Sequence, residues 1–130
     1  MKKILLLGTF LAASTFLCAD TPPPPPPYTT KITLESDIMI DATAKENMVI
    51  SVRARNQCQY TFSVHTENER VVLKWQTKVC FSPTWESKFR PSGEILGEDG
   101  KKGLLAKKVS ENSLFVKAGR EISITEVYDK

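Results

Sequence analysis

From residue 30 onward, apolar and polar residues alternate with a period of two over most of the chain. Thr30, Ile32 and Leu34 share one face of a predicted strand, with Lys31, Thr33 and Glu35 on the other. Asp37 and Asp41 bracket a short apolar run, Ile38-Met39-Ile40, and Lys45, Glu46 and Asn47 turn the chain. Met48, Ile50, Val52 and Ala54 line one face of the next strand, which Asn56 and Gln57 end. Cys58, Tyr60, Phe62 and Val64 then alternate with Gln59, Thr61, Ser63 and His65, the clearest strand in the protein. The polar run Thr66 to Arg70 reads as a hairpin connection into a long strand. Its inward set is Val71, Leu73, Trp75, Thr77 and Val79, with Lys74, Gln76 and Lys78 outward.

The segment from Ser82 to Ser113 is less regular, punctuated by Pro83, Pro91, Gly93, Gly97, Gly100 and Gly103. Glu94 to Leu96 and Leu104 to Val109 are predicted as strands of a hairpin around the Gly97–Gly103 turn, because a structureless loop of this length is unusual. Leu114 to Ala118 and Glu121 to Val127 complete the domain, joined at Gly119-Arg120. Neither a long amphipathic helix nor an internal repeat is visible. Short strands at regular spacing predict an all-β fold, a β-sandwich of about seven or eight antiparallel strands.

The N-terminus is of a different kind. Lys2 and Lys3 precede an apolar stretch from Ile4 to Leu17, too short for a membrane span and suited to a signal peptide cut after Ala19. The alternative processing is lipidation at Cys18, although Leu17 fits a lipobox poorly. Six prolines, Pro22 to Pro27, follow. They predict a stiff polyproline II rod of about 19 Å, serving as a spacer. The expected organisation is therefore a signal peptide at 1–19, a proline-rich linker at 20–29 and a sandwich domain at 30–130. The lysine-led signal points to a bacterium and to export, with the protein in the periplasm, at the cell surface or in the medium, or held at the outer membrane as a lipoprotein.

Export bears on the cysteines. With Cys18 removed or lipidated, Cys58 and Cys80 remain as an even pair, which in an oxidising compartment predicts a disulfide. Its expected contribution is about 3 kcal/mol. The strand pattern conflicts with it. With Phe62 opposite Trp75 or Leu73, Cys80 points away from Cys58; a β-bulge near Lys78 would bring it inward, and otherwise the disulfide joins twisted strand ends or does not form.

Composition adds exclusions. The chain is 41% hydrophobic and 25% charged, which is a globular and not a disordered balance. Of its 18 basic residues, Lys2 and Lys3 belong to the signal, so 16 basic face 15 acidic side chains in the exported part. A net charge of +1 does not predict a nucleic-acid partner. His65 is the only histidine and lies on a polar face, so no metal set is predicted. Glu98-Asp99-Gly100 is a turn composition and not a calcium loop. No phosphate loop or nucleophile motif is present, so neither an enzyme nor a cofactor is expected.

What remains is binding. Trp85, Phe89, Arg90 and Pro91 lie in the irregular segment and are the candidate partner-binding residues, because aromatic and arginine side chains dominate binding hot spots. Lys101-Lys102 and Lys107-Lys108 flank Gly103-Leu104-Leu105-Ala106. Membrane association is expected only through lipid at Cys18 or through this Lys101–Lys108 segment, as a cationic hairpin with a leucine wedge.

The run Tyr60-Thr61-Phe62, the turn Thr66 to Arg70, then Val71-Val72-Leu73-Lys74-Trp75 and Phe81, resembles the bacterial intracellular proteinase inhibitor (BsuPI-like) family. The ending Val116-Lys117-Ala118-Gly119-Arg120-Glu121-Ile122 resembles that family's turn into its last strand. The resemblance spans residues 57–81 and 114–124. It implies an immunoglobulin-like sandwich and binding to a subtilisin-type serine protease. The expected function is thus a protein-binding sandwich, with protease inhibition as its most specific form. The alternative is a structural envelope component or surface binding module on a proline-rich stalk.

Overall fold

A computed structural model describes residues 22–43 and 48–129. The signal segment, its cleavage site and Cys18 lie outside the described residues. Pro22 to Pro27 are exposed and carry no regular secondary structure.

Ten strands are present among the described residues: β1 (Tyr28–Thr33), β2 (Ile38–Asp41), β3 (Met48–Arg53), β4 (Cys58–Glu67), β5 (Arg70–Cys80), β6 (Phe89–Leu96), β7 (Leu104–Leu105), β8 (Lys107–Ser110), β9 (Ser113–Val116) and β10 (Glu121–Tyr128). A 3-10 turn, Trp85–Lys88, precedes β6. The protein is all-β, and every ladder between these strands is antiparallel. Ten exceeds the expected seven or eight, and four of the ten, β2, β7, β8 and β9, are short strands of two to four residues.

The strands form three sheets with orders β3-β4-β5-β7, β1-β10-β6 and β8-β9-β2. Their inward faces meet in one core: Tyr60, Phe62 and Val64 from β4, Ile32 from β1, Ile122 and Ile124 from β10, and Leu114 and Val116 from β9. Alternation along β4 is as the sequence predicts, with Cys58, Tyr60, Phe62 and Val64 all fully buried. β1 begins at Tyr28, so Tyr28 and Thr29, expected in the linker, belong to the sheet edge.

β5 departs from the pattern and removes the cysteine conflict. Phe62 pairs with Trp75, as the apolar faces require, but Thr61 pairs with Thr77, leaving Gln76 as the extra residue of a bulge. Beyond it the facing of β5 is inverted. Cys80 lies opposite Cys58 and the two are disulfide-bonded. Thr77 and Val79, expected inward, are exposed, whereas Lys78, expected outward, is buried.

The predicted hairpin across 94–109 does not form. β6 pairs with β10 and β7 pairs with β5, so the two lie in different sheets. The loop between them is pinned by Arg70, which forms a two-pronged ion pair with Asp99 and donates to the carbonyls of Lys102 and Gly103. Gly103 has φ of +74°, and a Cβ there would lie 2.6 Å from the Val71 carbonyl oxygen. Gly103→Ala is therefore expected to cost about 1–3 kcal/mol, through backbone strain and a clash in the β5–β7 pairing. A urea midpoint within error of wild type would show that the loop adjusts at no cost.

Candidate functional site

Two cross-strand pairs on different sheets face each other near one end of the core. Register places Tyr28 of β1 beside Glu126 of β10, and Tyr60 of β4 beside Lys78 of β5. The Lys78 ammonium lies 2.6 Å from Glu126 Oε1, with side-chain exposures of 5% and 0%. Glu126 Oε2 accepts hydrogen bonds from Tyr60 (2.8 Å), Tyr28 (3.2 Å) and Thr30. Asn56 in turn donates to the Tyr60 hydroxyl at 3.0 Å.

Such a pair is costly to bury unless every donor and lone pair finds a partner. Here they do. Lys78 directs its remaining protons to the carbonyls of Glu86 (2.7 Å) and Phe89 (2.9 Å). Those carbonyls belong to the 3-10 turn and to the first residue after it. The ammonium thus ties the turn carrying Trp85 to the sandwich core. With its bonding capacity used, the cluster works as an anchor and offers neither a free base nor a free nucleophile.

The cluster shifts its tyrosines. Burial, assisted by the Glu126 charge, pushes the Tyr28 hydroxyl up to about 12 against a hydrogen bond from Thr30. Tyr60 is raised further for the same reasons, burial foremost. A raised folded-state value contributes stability that is complete below the unfolded tyrosine value near 10 and is lost as pH rises through the folded one. Stability is therefore expected to fall steeply above about pH 10. Tyr60→Phe should flatten that limb in urea midpoints taken across the alkaline range. An unchanged slope would separate the alkaline transition from this hydroxyl.

Outside the anchor lies an aromatic pocket. Tyr28, Trp85, Phe89 and Tyr128 pack with ring centroids 4.8–5.8 Å apart, Phe89 making edge-on contacts with the other three. With Pro25, Pro26, Pro27 and Lys88 they line a cavity of about 490 Å³.

The predicted partner-binding residues separate here. Trp85 is 59% exposed and faces solvent beside the pocket. Phe89 is buried as the pocket floor, and Pro91 is buried in edge strand β6. Arg90 is half exposed and lies 3.6 Å from Asp129. The contact loop expected over 85–91 is thus a four-residue turn followed by a strand. Tyr28, Tyr128, Lys78 and Glu126 were not indicated by the sequence pattern. Arg90 also borders a second cavity of about 390 Å³ with Trp75, whose indole N–H has no partner among the described residues.

The Lys101–Lys108 segment is not a hairpin. Lys101 and Lys102 precede β7 in one sheet, and Lys107 and Lys108 lie in β8 of another. Leu104 is fully buried in the core, so only Leu105 of the predicted wedge is exposed. Lys102 is paired with Glu67 at 3.4 Å, and Glu67 with His65 at 2.6 Å.

No protein-family model, curated protein or solved structure matches this chain.

Proposed function

We propose that this chain is an exported bacterial β-sandwich that binds another protein through the aromatic pocket at Trp85. One observation carries the reading: an indole 59% exposed, on a turn whose carbonyls are held by a buried lysine. A large aromatic side chain on a rigid support, beside an apolar cavity, is the usual make-up of a binding hot spot. The narrower form is inhibition of a subtilisin-type protease. It draws on the resemblance of residues 57–81 and 114–124 to the BsuPI-like inhibitors, as does the immunoglobulin-like form of the sandwich.

The test is a titration of the purified protein against subtilisin-type and trypsin-type proteases, following residual activity and integrity of the chain. Stoichiometric inhibition with the chain intact supports the inhibitor form. Absence of inhibition at micromolar excess removes it and leaves the wider reading to crosslinking in the native envelope. In either setting Trp85→Ala is expected to weaken the partner complex about tenfold or more, while costing about 1 kcal/mol of stability through its contacts with Tyr28 and Phe89. Arg90→Ala should leave stability within about 0.5 kcal/mol. A partner held equally by wild type and Trp85→Ala would place the binding surface elsewhere.

A further inference from the structure

The chain carries both an aromatic pocket and an exposed run of six prolines, and the two are complementary in chemistry. We propose that the pocket formed by Tyr28, Trp85, Phe89 and Tyr128 binds the outer half of the polyproline segment, Pro22–Pro24, of a second copy of this chain. The proposal rests on the protein-binding reading of this pocket and names its occupant.

Three observations lead to it. First, proline already belongs to the pocket: Pro25, Pro26 and Pro27 of the same chain line it together with the four aromatic residues. A second proline segment entering this cavity of about 490 Å³ would meet the same four aromatic residues. Second, the hydrogen-bonding characters match. A run of prolines has no backbone N–H and presents only carbonyl acceptors. The residues lining the pocket include Lys88, Trp85 and Tyr128, whose side chains are all able to donate. A donor-rich or cationic ligand would meet Lys88 unfavourably, whereas a proline segment adds no charge. Third, all six prolines are exposed. A polyproline segment is stiff before it binds, so little conformational entropy is lost on docking, which is why aromatic grooves recognise such segments.

Because Pro25–Pro27 line their own pocket and Pro22–Pro24 do not, each copy supplies one free segment and one pocket, and the contact can be reciprocal about a two-fold axis and close as a dimer. The hinge is short. Tyr28 is the first residue of β1 and is itself part of the pocket, so the arm leaves the domain where the partner's arm would arrive.

The experiment uses the purified protein and a fluorescein-labelled peptide of residues 20–29. Saturable anisotropy binding is expected, together with concentration-dependent dimerisation in sedimentation velocity that excess unlabelled peptide reverses. Trp85→Ala should weaken peptide binding about tenfold or more and shift the dimer to the monomer. A peptide with Pro22 and Pro24 replaced by Ser should lose most of its affinity. Three results would each overturn the proposal: no saturable binding at about 1 mM peptide, binding that Trp85→Ala leaves unchanged, or a dimer that the peptide does not dissociate. None of these touches a foreign partner whose capture depends on Trp85, so failure of the homotypic contact and failure of the protein-binding reading are separable.

Discussion

Glu126→Ala is expected to cost about 3–5 kcal/mol, the largest single effect in this protein. For a domain of this size that is a large part of the whole stability, and the variant should be partly unfolded at 37 °C. The loss comes less from the missing attraction than from what stays behind. Lys78, only 5% exposed, would stay in the core beside Tyr60 without its anionic partner. Three hydroxyls, those of Tyr28, Thr30 and Tyr60, would lose their acceptor at the same time. Glu126→Gln keeps the shape and one acceptor oxygen, so its smaller loss reports the charge together with the acceptor that the amide NH2 replaces. The double variant Lys78→Met, Glu126→Leu should recover the part of the loss that comes from the unpaired lysine, because an apolar pair of similar volume has no desolvation penalty, while the three hydroxyls still lack their acceptor. Urea unfolding of the four proteins gives the comparison. A loss below about 1 kcal/mol for Glu126→Ala would mean that water reaches Lys78 and that the pair is not an anchor.

The same set tests the link from core to pocket. In the double variant the carbonyls of Glu86 and Phe89 lose the ammonium that holds them. The amide of Ser87, which donates to Thr84, should then exchange faster even where global stability is restored. Unchanged exchange would show that the turn stands on its aromatic contacts alone.

Much of this fold was legible because β4 alternates without interruption and the core follows its even-numbered residues. The anchor was hidden by one residue. Gln76 bulges out of β5, and every position after it changes face, so a strict period of two places Lys78 in solvent and Val79 inside. The cysteines contained the missing signal. If Cys80 must meet Cys58, then Lys78, two residues earlier on the same strand, must also point inward, and a buried lysine requires a buried acid. Its partner, Glu126, sits in β10 at a position of the same parity as the buried Ile122 and Ile124. The irregular segment was less readable. Gly103 suggests a turn, but Arg70 and not a hairpin partner holds the loop, and a contact 29 residues away leaves no trace in local pattern.

Removing the disulfide by Cys58→Ala, Cys80→Ala is expected to cost about 3 kcal/mol, the entropy of closing a loop between residues 22 apart in sequence. The effect should reach beyond chain entropy, because the crosslink also selects a register. Without the bulge at Gln76, β5 could continue its alternation with Thr77 and Val79 inward and with Lys78 in water. That register relieves Lys78 of burial and is forbidden only while Cys80 is bonded opposite Cys58. In the cysteine-free variant the Lys78–Glu126 pair alone holds the bulge, so the two devices should be coupled. Adding Glu126→Ala to the cysteine-free protein is expected to cost less than it does in the crosslinked one, since β5 can then slip and take the unpaired lysine out of the core. A double-mutant cycle in urea measures the coupling, and the reactivity of Lys78 toward an amine-specific reagent reads the slip directly. Strict additivity, with Lys78 protected in every variant, would mean that the bulge is fixed by the packing of Phe62 against Trp75 and needs neither the crosslink nor the ion pair.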